Sequence, residues 1–418
     1  MRIAIIDLLF SWPPHGGADV DVYHVASELV RAGQDVHLIA WNDPDCWERG
    51  KISAPESLPF PVEILTQRIP SEPIEALVKK IAQRAAATRP DIVLLGDSFF
   101  LKPLLIHALA AFPVICRFYA YEGLCHRSLM RYKDGAPCPQ SILTTPQECR
   151  KCAVEGLKPH ITQGIRLAWI DEYLATRAYS AEYLDALRTA YAKLSGVIVY
   201  NDHMAEGFEA LGVPVAVLPG GVDCTQFTHT PKTPVGQGQP HIVLMTGRGE
   251  DPVKGLDVLM AAGAILHTQR QDFEIWATVA PEQEGPRWFR PLGWCSFNET
   301  AELYRRADVC VVPSVWQEPF GMVALEAMAT GRPICASAVG GLQHIVADGE
   351  TGFLFPPGDA PALAAALSRL LDDAPLRQRM GDAARARVAS RYTWEQAVTS
   401  GYLPFFEQVL THRSAPCA

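Results

Sequence analysis

The sequence lacks the surplus of positive charge that binds nucleic acid. Its 418 residues include 37 lysines and arginines against 46 aspartates and glutamates, so the formal net charge is −9 at pH 7. Proteins that bind nucleic acid neutralise its phosphates with clustered lysine and arginine side chains. The composition therefore predicts that nucleic acid is not a partner.

Long apolar runs are also missing. No stretch of the sequence approaches the roughly 20 consecutive apolar residues that a membrane-spanning helix needs. The first ten residues, MRIAIIDLLF, are interrupted by Asp7 and have no small-residue cleavage site after them, unlike a secretory signal peptide. We therefore expect a cytoplasmic protein.

One segment leaves contact with a membrane surface open. Residues 73–89 predict a helix with Ile74 and Leu77 on its apolar side and Lys79 and Lys80 on its basic side. A basic amphipathic helix of this kind can lie on an anionic membrane. An ordinary helix packed on a sheet has the same pattern. Peripheral contact at the inner face of a membrane is therefore kept as an alternative.

Eleven cysteines are present, and in a reducing compartment they are expected to be free thiols or metal ligands. Four of them lie in segment 124–159, which is poor in periodic apolar residues and which we interpret as an insertion. A segment with few residues for a core needs other stabilisation, and four thiolates suit a tetrahedral Zn²⁺. We predict a structural zinc, the alternative being free thiols in an irregular loop. The candidate ligands are Cys125, Cys138, Cys149 and Cys152.

Short apolar segments alternate with helical periodicity, as in a doubly wound parallel sheet. A predicted strand at 3–8 is followed by a glycine-containing loop, a helix at 18–31 and a strand at 36–40. The pattern starts again with a strand at 242–246, after a segment at 228–240 whose proline, glycine and threonine content is typical of a linker. The predicted fold class is α/β, with two Rossmann-like doubly wound domains.

The length suits two domains of about 200 residues each. We expect an N-terminal domain over 1–225, which includes the insertion 124–159, and a C-terminal domain over 226–394. A C-terminal helix at 395–412 is expected to pack back on the first domain. Ligands of doubly wound sheets bind beyond the carboxyl ends of the strands, so we expect the chemistry on those loops and in a cleft that the domains face.

Two glycine-containing loops follow predicted strands. Gly16 and Gly17 lie between a strand and a helix, where backbone amides can approach a phosphate. Because a complete G-x-G-x-x-G motif is missing, a tight turn is the simpler interpretation of this motif taken alone. Gly247 and Arg248, followed by Lys254, suit a diphosphate, since arginine binds it in a bidentate way and lysine acts as a point charge. The alternative is a solvated loop with incidental basic residues.

The strongest local pattern runs from Trp316 to Glu326 as WQEPFGMVALE. Glu318 precedes a predicted helix and Glu326 lies about one and a half turns into it, so both carboxylates can face one side. The amides at the helix start, 321–323, can bind sugar hydroxyls or phosphate. The alternative is a favourable charge at the helix start and an exposed helical residue. However, Glu326 has apolar neighbours, and a buried carboxylate needs a partner.

These motifs, in this order, resemble glycosyltransferase family 4, whose GT-B fold has two Rossmann-like domains facing a cleft. The resemblance covers nearly the whole second half of the chain and touches the first. Beyond the motifs above, it is carried by Pro219–Asp223, Leu292–Trp294, Pro313–Ser314, Gly331–Pro333, Ser337–Gly341, Asp348–Gly349 and Thr351–Leu354.

The resemblance implies a retaining, hexosyltransferase-type enzyme. It would move a sugar from a nucleotide diphosphate to a hydroxyl of a glycan, lipid-linked or small-molecule acceptor, with no cofactor or metal in catalysis. Arg248, Lys254 and Glu318 would be catalytic: the two cations would hold the diphosphate and Glu318 would contact sugar hydroxyls. Glu326 would contact the ribose. The rest of the donor pocket would be lined by Gly16, Gly17, Phe320, Gly321, Met322 and Val323.

One position departs from the family pattern. Family members often have a histidine after the strand predicted here at 114–118, and Tyr119 takes its place. A tyrosine hydroxyl is a poor base at neutral pH, so a role in proton transfer does not carry over. Tyr119 and Glu122, in the same loop, are the candidates for the acceptor side.

Two other functions stay open at this point. The chain can be an inactive or regulatory relative that binds a nucleotide-sugar, or an epimerase or phosphorylase on the same fold. The presence of Arg248, Lys254 and both glutamates weighs against inactivity.

Overall fold

The structure is a computed structural model that describes residues 1–46, 50–69, 73–229 and 239–414. Within these ranges no helix is long and apolar enough to cross a membrane. The predicted linker at 228–240 lies mostly outside the described residues.

The chain forms two compact units. The first contains Met1–Asp134 and Cys138–Pro219, together with the C-terminal residues from Trp394 onward. The second contains Gly220–Thr393 and the short piece Gly135–Pro137. The first unit therefore ends slightly before the boundary predicted at 225.

A parallel seven-stranded sheet forms the centre of the first unit. The strands of the N-terminal part are β1 (Arg2–Ile6), β2 (Asp35–Asn42), β3 (Val62–Thr66), β4 (Ile92–Leu95), β5 (Val114–Arg117), the short β6 (Tyr132–Lys133) and β7 (Ala136–Pro137), β8 (Gly196–Val199) and β9 (Val215–Val217). The sheet order is β3-β2-β1-β4-β5-β8-β9, so the winding direction reverses between β1 and β4. In open α/β sheets, ligands bind beyond the carboxyl ends of the strands at such a reversal.

Seven helices accompany these strands in the described residues. They are α1 (Gly17–Arg31), α2 (Ile74–Ala87), α3 (Lys102–Ala108), α4 (Pro146–Thr162), α5 (Ala168–Ala175), α6 (Ala181–Tyr191) and α7 (Asp202–Glu206). The helical structure breaks between α5 and α6. Arg177 has a left-handed φ of 55°, and Ser180 starts α6 by accepting a hydrogen bond from the Tyr183 amide.

The apolar side of α2 is buried. Ile74, Leu77, Val78 and Ile81 all lie in the core of the first unit. A helix that binds a membrane surface needs its apolar side free to enter the lipid. The alternative of membrane contact through 73–89 therefore loses its basis, and the pattern is that of a helix packed on a sheet.

The second unit has a parallel six-stranded sheet. Its strands are β10 (His241–Met245), β11 (Phe273–Ala277), β12 (Phe289–Pro291), β13 (Val309–Val312), β14 (Ile334–Ser337) and β15 (Gly352–Phe355). Its helices are α8 (Leu256–His267), α9 (Phe297–Arg306), α10 (Met322–Ala329), α11 (Leu342–Ile345), α12 (Ala360–Asp372) and α13 (Ala374–Arg391). The order β12-β11-β10-β13-β14-β15 reverses between β10 and β13, so the loops that end these two strands are the expected ligand site.

After α13 the chain returns to the first unit. It forms α14 (Trp394–Ala397), a π-helical turn at Val398–Tyr402 and α15 (Leu403–Ser414). The Trp394 ring stacks on His24 of α1 with centroids 5.0 Å apart. The C-terminal segment therefore belongs to the core of the first unit.

Candidate active site

The loop after β10 brings Lys254 to the end of β13. Lys254 ends a short 3₁₀ turn, and Gly255 follows it with a φ of 79°. A Cβ on Gly255 would lie 2.0 Å from the Pro313 carbonyl oxygen, so only glycine allows this close approach. The Lys254-Gly255 motif thus fixes the lysine at the reversal point of the sheet.

Lys254 and Glu318 form an ion pair there. The Lys254 Nζ donates to Glu318 Oε1 at 2.7 Å and lies 4.9 Å from the centre of the Trp316 ring. The side chains of Lys254 and Glu318 are 23% and 9% exposed. A pair this sheltered interacts more strongly than a surface pair. Two of the three residues predicted to be catalytic are therefore in direct contact.

The loop after β14 holds the backbone of Glu318. The Gly341 amide donates to the Glu318 carbonyl at 2.7 Å, and the Gly340 amide donates to Gln317 Oε1 at 2.8 Å. Gly340 has a φ of 46°, and a Cβ there would lie 2.1 Å from the Glu318 carbonyl oxygen. The Ser337–Gly341 motif therefore positions Glu318.

Helix α10 starts directly after the loop that follows β13 and carries Glu318. Gly321 takes the N-cap position with a φ of 111°. Met322 and Val323, the first residues of the helix, are half-buried, and their amides belong to the turn that has no intrahelical acceptor. The Phe320 side chain is 5% exposed and packs near Tyr392, so only its backbone suits the predicted role in the donor pocket.

Glu326 is buried in α10 and has a partner. Its Oε2 accepts a hydrogen bond from the Tyr304 hydroxyl at 2.9 Å, and the residue is 8% exposed. Burial raises the pKa of Glu326 to about 7, and the Tyr304 hydrogen bond opposes this increase. The alternative of an exposed helical residue is excluded. Tyr304 was missed in the sequence, where it reads as an apolar position of α9.

Arg248 lies at the same strand end with an exposed side chain. It follows Gly247, which has a φ of 97° and whose carbonyl accepts from the Thr278 hydroxyl at 2.7 Å. The structure therefore brings Lys254 and Glu318 together and leaves the Arg248 guanidinium in solvent at this edge.

The amides of the loop around Gly16 already bind an anion from the chain itself. The Asp19 carboxylate accepts from the amides of Ser11 at 2.8 Å, His15 at 2.8 Å and Gly16 at 3.0 Å. Gly16 is the N-cap of α1 with extended backbone. This arrangement is that of a tight strand-to-helix turn, and the predicted role of Gly16 and Gly17 toward a donor stays a prediction.

Glu122 is enclosed on the first unit. Its side chain is 1% exposed, pairs with Lys102 Nζ at 3.5 Å and accepts from the amides of Tyr119 and Ala120. It therefore fixes its own loop, and contact with an acceptor does not suit a side chain so placed. Tyr119 is half-buried with the Arg117 guanidinium 5.6 Å from its ring centre. Burial raises the pKa of Tyr119 well above its usual range, so it stays protonated.

The four cysteines of segment 124–159 lie near one another as free thiols. The Cys152 sulfur accepts from Arg127 Nη1 at 3.6 Å, and burial raises the pKa of Cys125 and Cys149. In the part of the chain that the structure describes, no group of three or more His, Cys, Asp or Glu side chains is arranged to hold a metal ion. As placed, the cysteines do not form a zinc site, and zinc binding stays a prediction.

Segment 124–159 buries more apolar residues than its sequence predicts. The segment was expected to have too few apolar residues for a core, yet Leu124, Ile142, Ala153 and Leu157 are buried. The last two lie on α4, which was not expected in this segment. The segment is therefore anchored by its own apolar contacts.

Comparison with known proteins matches residues 240–373 to the family model described as glycosyl transferases group 1. Phosphatidyl-myo-inositol mannosyltransferase from Mycobacterium leprae is 33% identical over 240 residues, which cover 54% of this chain and 63% of that protein. D-inositol 3-phosphate glycosyltransferase from Streptomyces avermitilis is 32% identical over 241 residues, which cover 51% of each chain. Each match spans less than two thirds of the relative's own length.

Residues 240–373 of the chain are therefore similar to the group 1 glycosyltransferases. Solved structures give the same fold: sucrose-phosphate synthase from Thermosynechococcus elongatus matches with a TM-score of 0.66 and 23% identity over 99% of this chain and 100% of that one. HepE from Anabaena, solved with UDP and glucose, matches with a TM-score of 0.63 and 17% identity over 99% and 100%. The resemblance to family 4 and the α/β fold class of GT-B type are thus confirmed.

The end of the first sheet also carries two acidic residues that the sequence did not single out. Asp7 follows β1 and Asp97 follows β4, at the reversal point of the first sheet. Burial raises the pKa of Asp7 to about 7, and burial with the charges of Glu122 and Asp7 raises the pKa of Asp97. Single acidic residues after strands have no distinguishing pattern, so only the sheet order reveals them.

Proposed function

We propose that this chain is a retaining glycosyltransferase that moves a sugar from a nucleotide diphosphate donor to a hydroxyl acceptor. The observation that carries the proposal is the contact between Lys254 and Glu318 at the reversal point of the second sheet. An ammonium suited to phosphate and a carboxylate suited to sugar hydroxyls share one place, next to the start of α10. A donor that carries both chemical groups fits this pair.

When the donor binds, Lys254 and Glu318 release each other and each takes a new partner on the donor. The diphosphate competes with Glu318 for the Lys254 ammonium, which has three N–H donors. Glu318 then accepts from the sugar hydroxyls. Arg248, exposed at the same edge, closes on the phosphates from solvent. Charge neutralisation is assigned to these two cations and to the start of α10, so we propose that activity needs no added divalent metal.

The proposed reaction keeps the anomeric configuration. The acceptor hydroxyl oxygen forms a bond to the anomeric carbon on the face that the leaving phosphate occupies. The bond from that carbon to the phosphate oxygen breaks, and the acceptor proton passes to the departing phosphate. Lys254 and Arg248 stabilise the negative charge that grows on the phosphate as the bond breaks, so they contribute most in the transition state.

The names of similar proteins support an acceptor class. The two curated relatives described above act on an inositol lipid and an inositol phosphate by name, and HepE was solved with UDP and glucose. We propose a hexose donor and a polyhydroxylated acceptor in this chain.

A panel of nucleotide-sugars incubated with and without cyclitol and glycoside acceptors tests the proposal. Acceptor-dependent release of nucleoside diphosphate, with retention in the NMR spectrum of the product and activity in EDTA, is the expected result. Isomerised donor without transfer indicates an epimerase, and sugar 1-phosphate formed with inorganic phosphate indicates a phosphorylase. Binding without turnover indicates an inactive relative. An inverted product contradicts the retaining mechanism.

A further inference from the structure

Tyr304 joins three parts of the second unit through one hydroxyl. The residue lies on α9 and is 1% exposed. Its hydroxyl oxygen is 2.9 Å from Glu326 Oε2, 2.6 Å from the Thr246 hydroxyl and 3.2 Å from the Val323 carbonyl oxygen. Thr246 directly follows β10, while Val323 and Glu326 belong to α10. The phenol therefore connects the end of β10 with the helix that carries the candidate ribose-binding carboxylate.

The hydrogen count in this network restricts its states. A phenol donates one hydrogen bond and accepts others. When Glu326 is ionised, both of its oxygens only accept, so Thr246 donates to Tyr304 and Tyr304 donates to Glu326. When Glu326 is protonated, its own O–H can donate to Tyr304, and the phenol proton turns to the Val323 carbonyl. The ionised carboxylate therefore requires the phenol to donate to Glu326, whereas the protonated carboxyl also allows the reverse direction.

The ionised form of Glu326 needs this support. Desolvation raises its pKa to about 7, and the Tyr304 hydrogen bond acts in the opposite direction. On neighbouring elements, Arg385 of α13 donates to the Ala329 carbonyl at 2.8 Å, and Arg332 donates to the Tyr304 carbonyl at 3.0 Å. Cys310 of β13 is buried and acts electrostatically on Tyr304. The two guanidinium groups thus bond backbone oxygens, whereas Tyr304 bonds the carboxylate itself.

We propose that Tyr304, oriented by Thr246, is a positioning residue that holds Glu326 ionised and correctly turned for the donor. Its bond to Oε2 leaves Oε1 to accept from the ligand. The inference rests on the proposed function, in which the Glu326 carboxylate binds ribose hydroxyls. Donor affinity should then increase as pH rises through the pKa of Glu326.

Tyr304→Phe tests this role, because it removes the hydroxyl and keeps the ring. UDP, GDP and ADP are titrated into the unaltered chain by calorimetry, and whichever binds is used from pH 5.5 to 8.5. For Tyr304→Phe we expect affinity at pH 7 to fall roughly tenfold, the low end for a hydrogen bond to a charged group. The midpoint of the pH profile should move to higher pH. Thr246→Val should shift it in the same direction by less.

Tyr183→Phe is the matched control. The Tyr183 hydroxyl is also buried and donates to the Phe100 carbonyl at 2.9 Å, but it belongs to the first unit. This variant should lower Tm without moving the pH midpoint for binding. If Tyr304→Phe also changes only Tm, Tyr304 is structural and the inference is overturned.

A ligand-free measurement separates this inference from the proposed function. The Glu326 carboxyl is assigned in ¹³C NMR spectra as the signal that Glu326→Gln removes. Its pKa is then measured by titration in the unaltered chain and in Tyr304→Phe. A higher pKa in Tyr304→Phe supports the inference even if no nucleotide binds, in which case the proposed function alone fails. An unchanged pKa overturns the inference whatever binds.

Discussion

The carboxyl ends of the two sheets use buried carboxyl groups in different ways. In the first unit, Asp7, Asp97 and Glu122 act on a single buried ammonium, that of Lys102. In the second unit, Glu318 has Lys254 as its own partner, and Glu326 has the Tyr304 hydroxyl. The first group carries more negative than positive groups, so protons must make up the difference. In the second group each carboxyl group has a hydrogen-bond donor of its own.

This difference separates the ligands that each end suits. Carboxyl groups that share protons offer both donors and acceptors to hydroxyl groups and disfavour an anion nearby. An accessible ammonium at a helix start favours an anion. The comparison therefore agrees with the proposal that the diphosphate binds to the second unit, and it disfavours an anion at the end of the first sheet.

The largest expected effect comes from breaking the Lys254–Glu318 pair. Lys254→Ala should lower kcat by about 10²–10³-fold, with a smaller change in donor KM, because the ammonium contributes most when charge grows on the phosphate. Arg248→Ala should act in the same direction and by less, since its side chain is exposed. Steady-state kinetics with the donor varied measure both effects.

Lys193→Ala is the control for Lys254→Ala. Lys193 is exposed and contacts His107 in the first unit, so its loss should leave kcat and KM unchanged. A change confined to KM in Lys254→Ala would show that the lysine binds ground state and transition state equally. The pair would then be a binding feature without a catalytic role.

A smaller loss is expected from Glu326→Gln. The substitution keeps the shape of the side chain and removes the charged acceptor, so donor binding should weaken by about 1.5–3 kcal/mol above pH 7. Below pH 6 the difference should shrink, because Glu326 is then mostly protonated in the unaltered chain. Calorimetry at both pH values measures it, and equal affinity at pH 8 would reject the ribose assignment.

The helices and strands next to the candidate site could be predicted because their signals are local. The strand predicted at 242–246 forms β10 at His241–Met245, and the spacing from Glu318 to Glu326 follows from one helix. Tyr304 could not be found this way. It contacts Glu326 across 22 residues of sequence, and its position in an amphipathic helix looks like a core residue.

Other misses also have physical causes. Strand β3 is only half-buried at the edge of its sheet, so it lacks the apolar run that marks the inner strands. Helix α4 begins at Pro146, contains Pro159 near its end and buries Ala153 and Leu157, so its sequence shows little apolar periodicity. Proline is accepted in the first turn of a helix, where its missing N–H costs nothing.

Raising the pH from 6 to 8.5 should lower the stability of the first unit more than that of the second. A carboxyl group whose pKa is higher in the folded chain stabilises the fold fully below its unfolded pKa of about 4, and this stability is lost as pH rises through the folded pKa. For Asp7 that window ends near pH 7. Between pH 6 and 8.5 we expect a loss on the order of 1 kcal/mol from Asp7, with further loss from Asp97.

Hydrogen exchange followed by mass spectrometry measures this difference in each unit. Protection factors, which correct for the intrinsic pH dependence of exchange, should fall more for peptides from β1 and β4 than for peptides from β10 and β13. The second unit contains Glu326, which titrates in the same direction, so a smaller decrease is expected there. Equal decreases would show that the two groups of carboxyls are stabilised alike.

The smallest effect is expected from metal removal at the four cysteines. As placed, the thiols do not share a metal ion, so zinc binding requires Cys125, Cys138, Cys149 and Cys152 to turn toward one point. Because Leu124, Ile142 and Leu157 already anchor the segment, losing zinc should destabilise it by only about 1 kcal/mol, which lowers Tm by roughly 2–4 °C in a unit of this size.

Metal analysis of protein purified without chelator, followed by measurement of Tm with and without EDTA, gives the zinc content and its contribution to stability. Zinc near one equivalent per chain with a small decrease in Tm is the expected result for a site that adds to an existing core. A large decrease would make the thiolates the main support of the segment, and protein without zinc and with an unchanged Tm would leave four free thiols held by α4 and its apolar contacts.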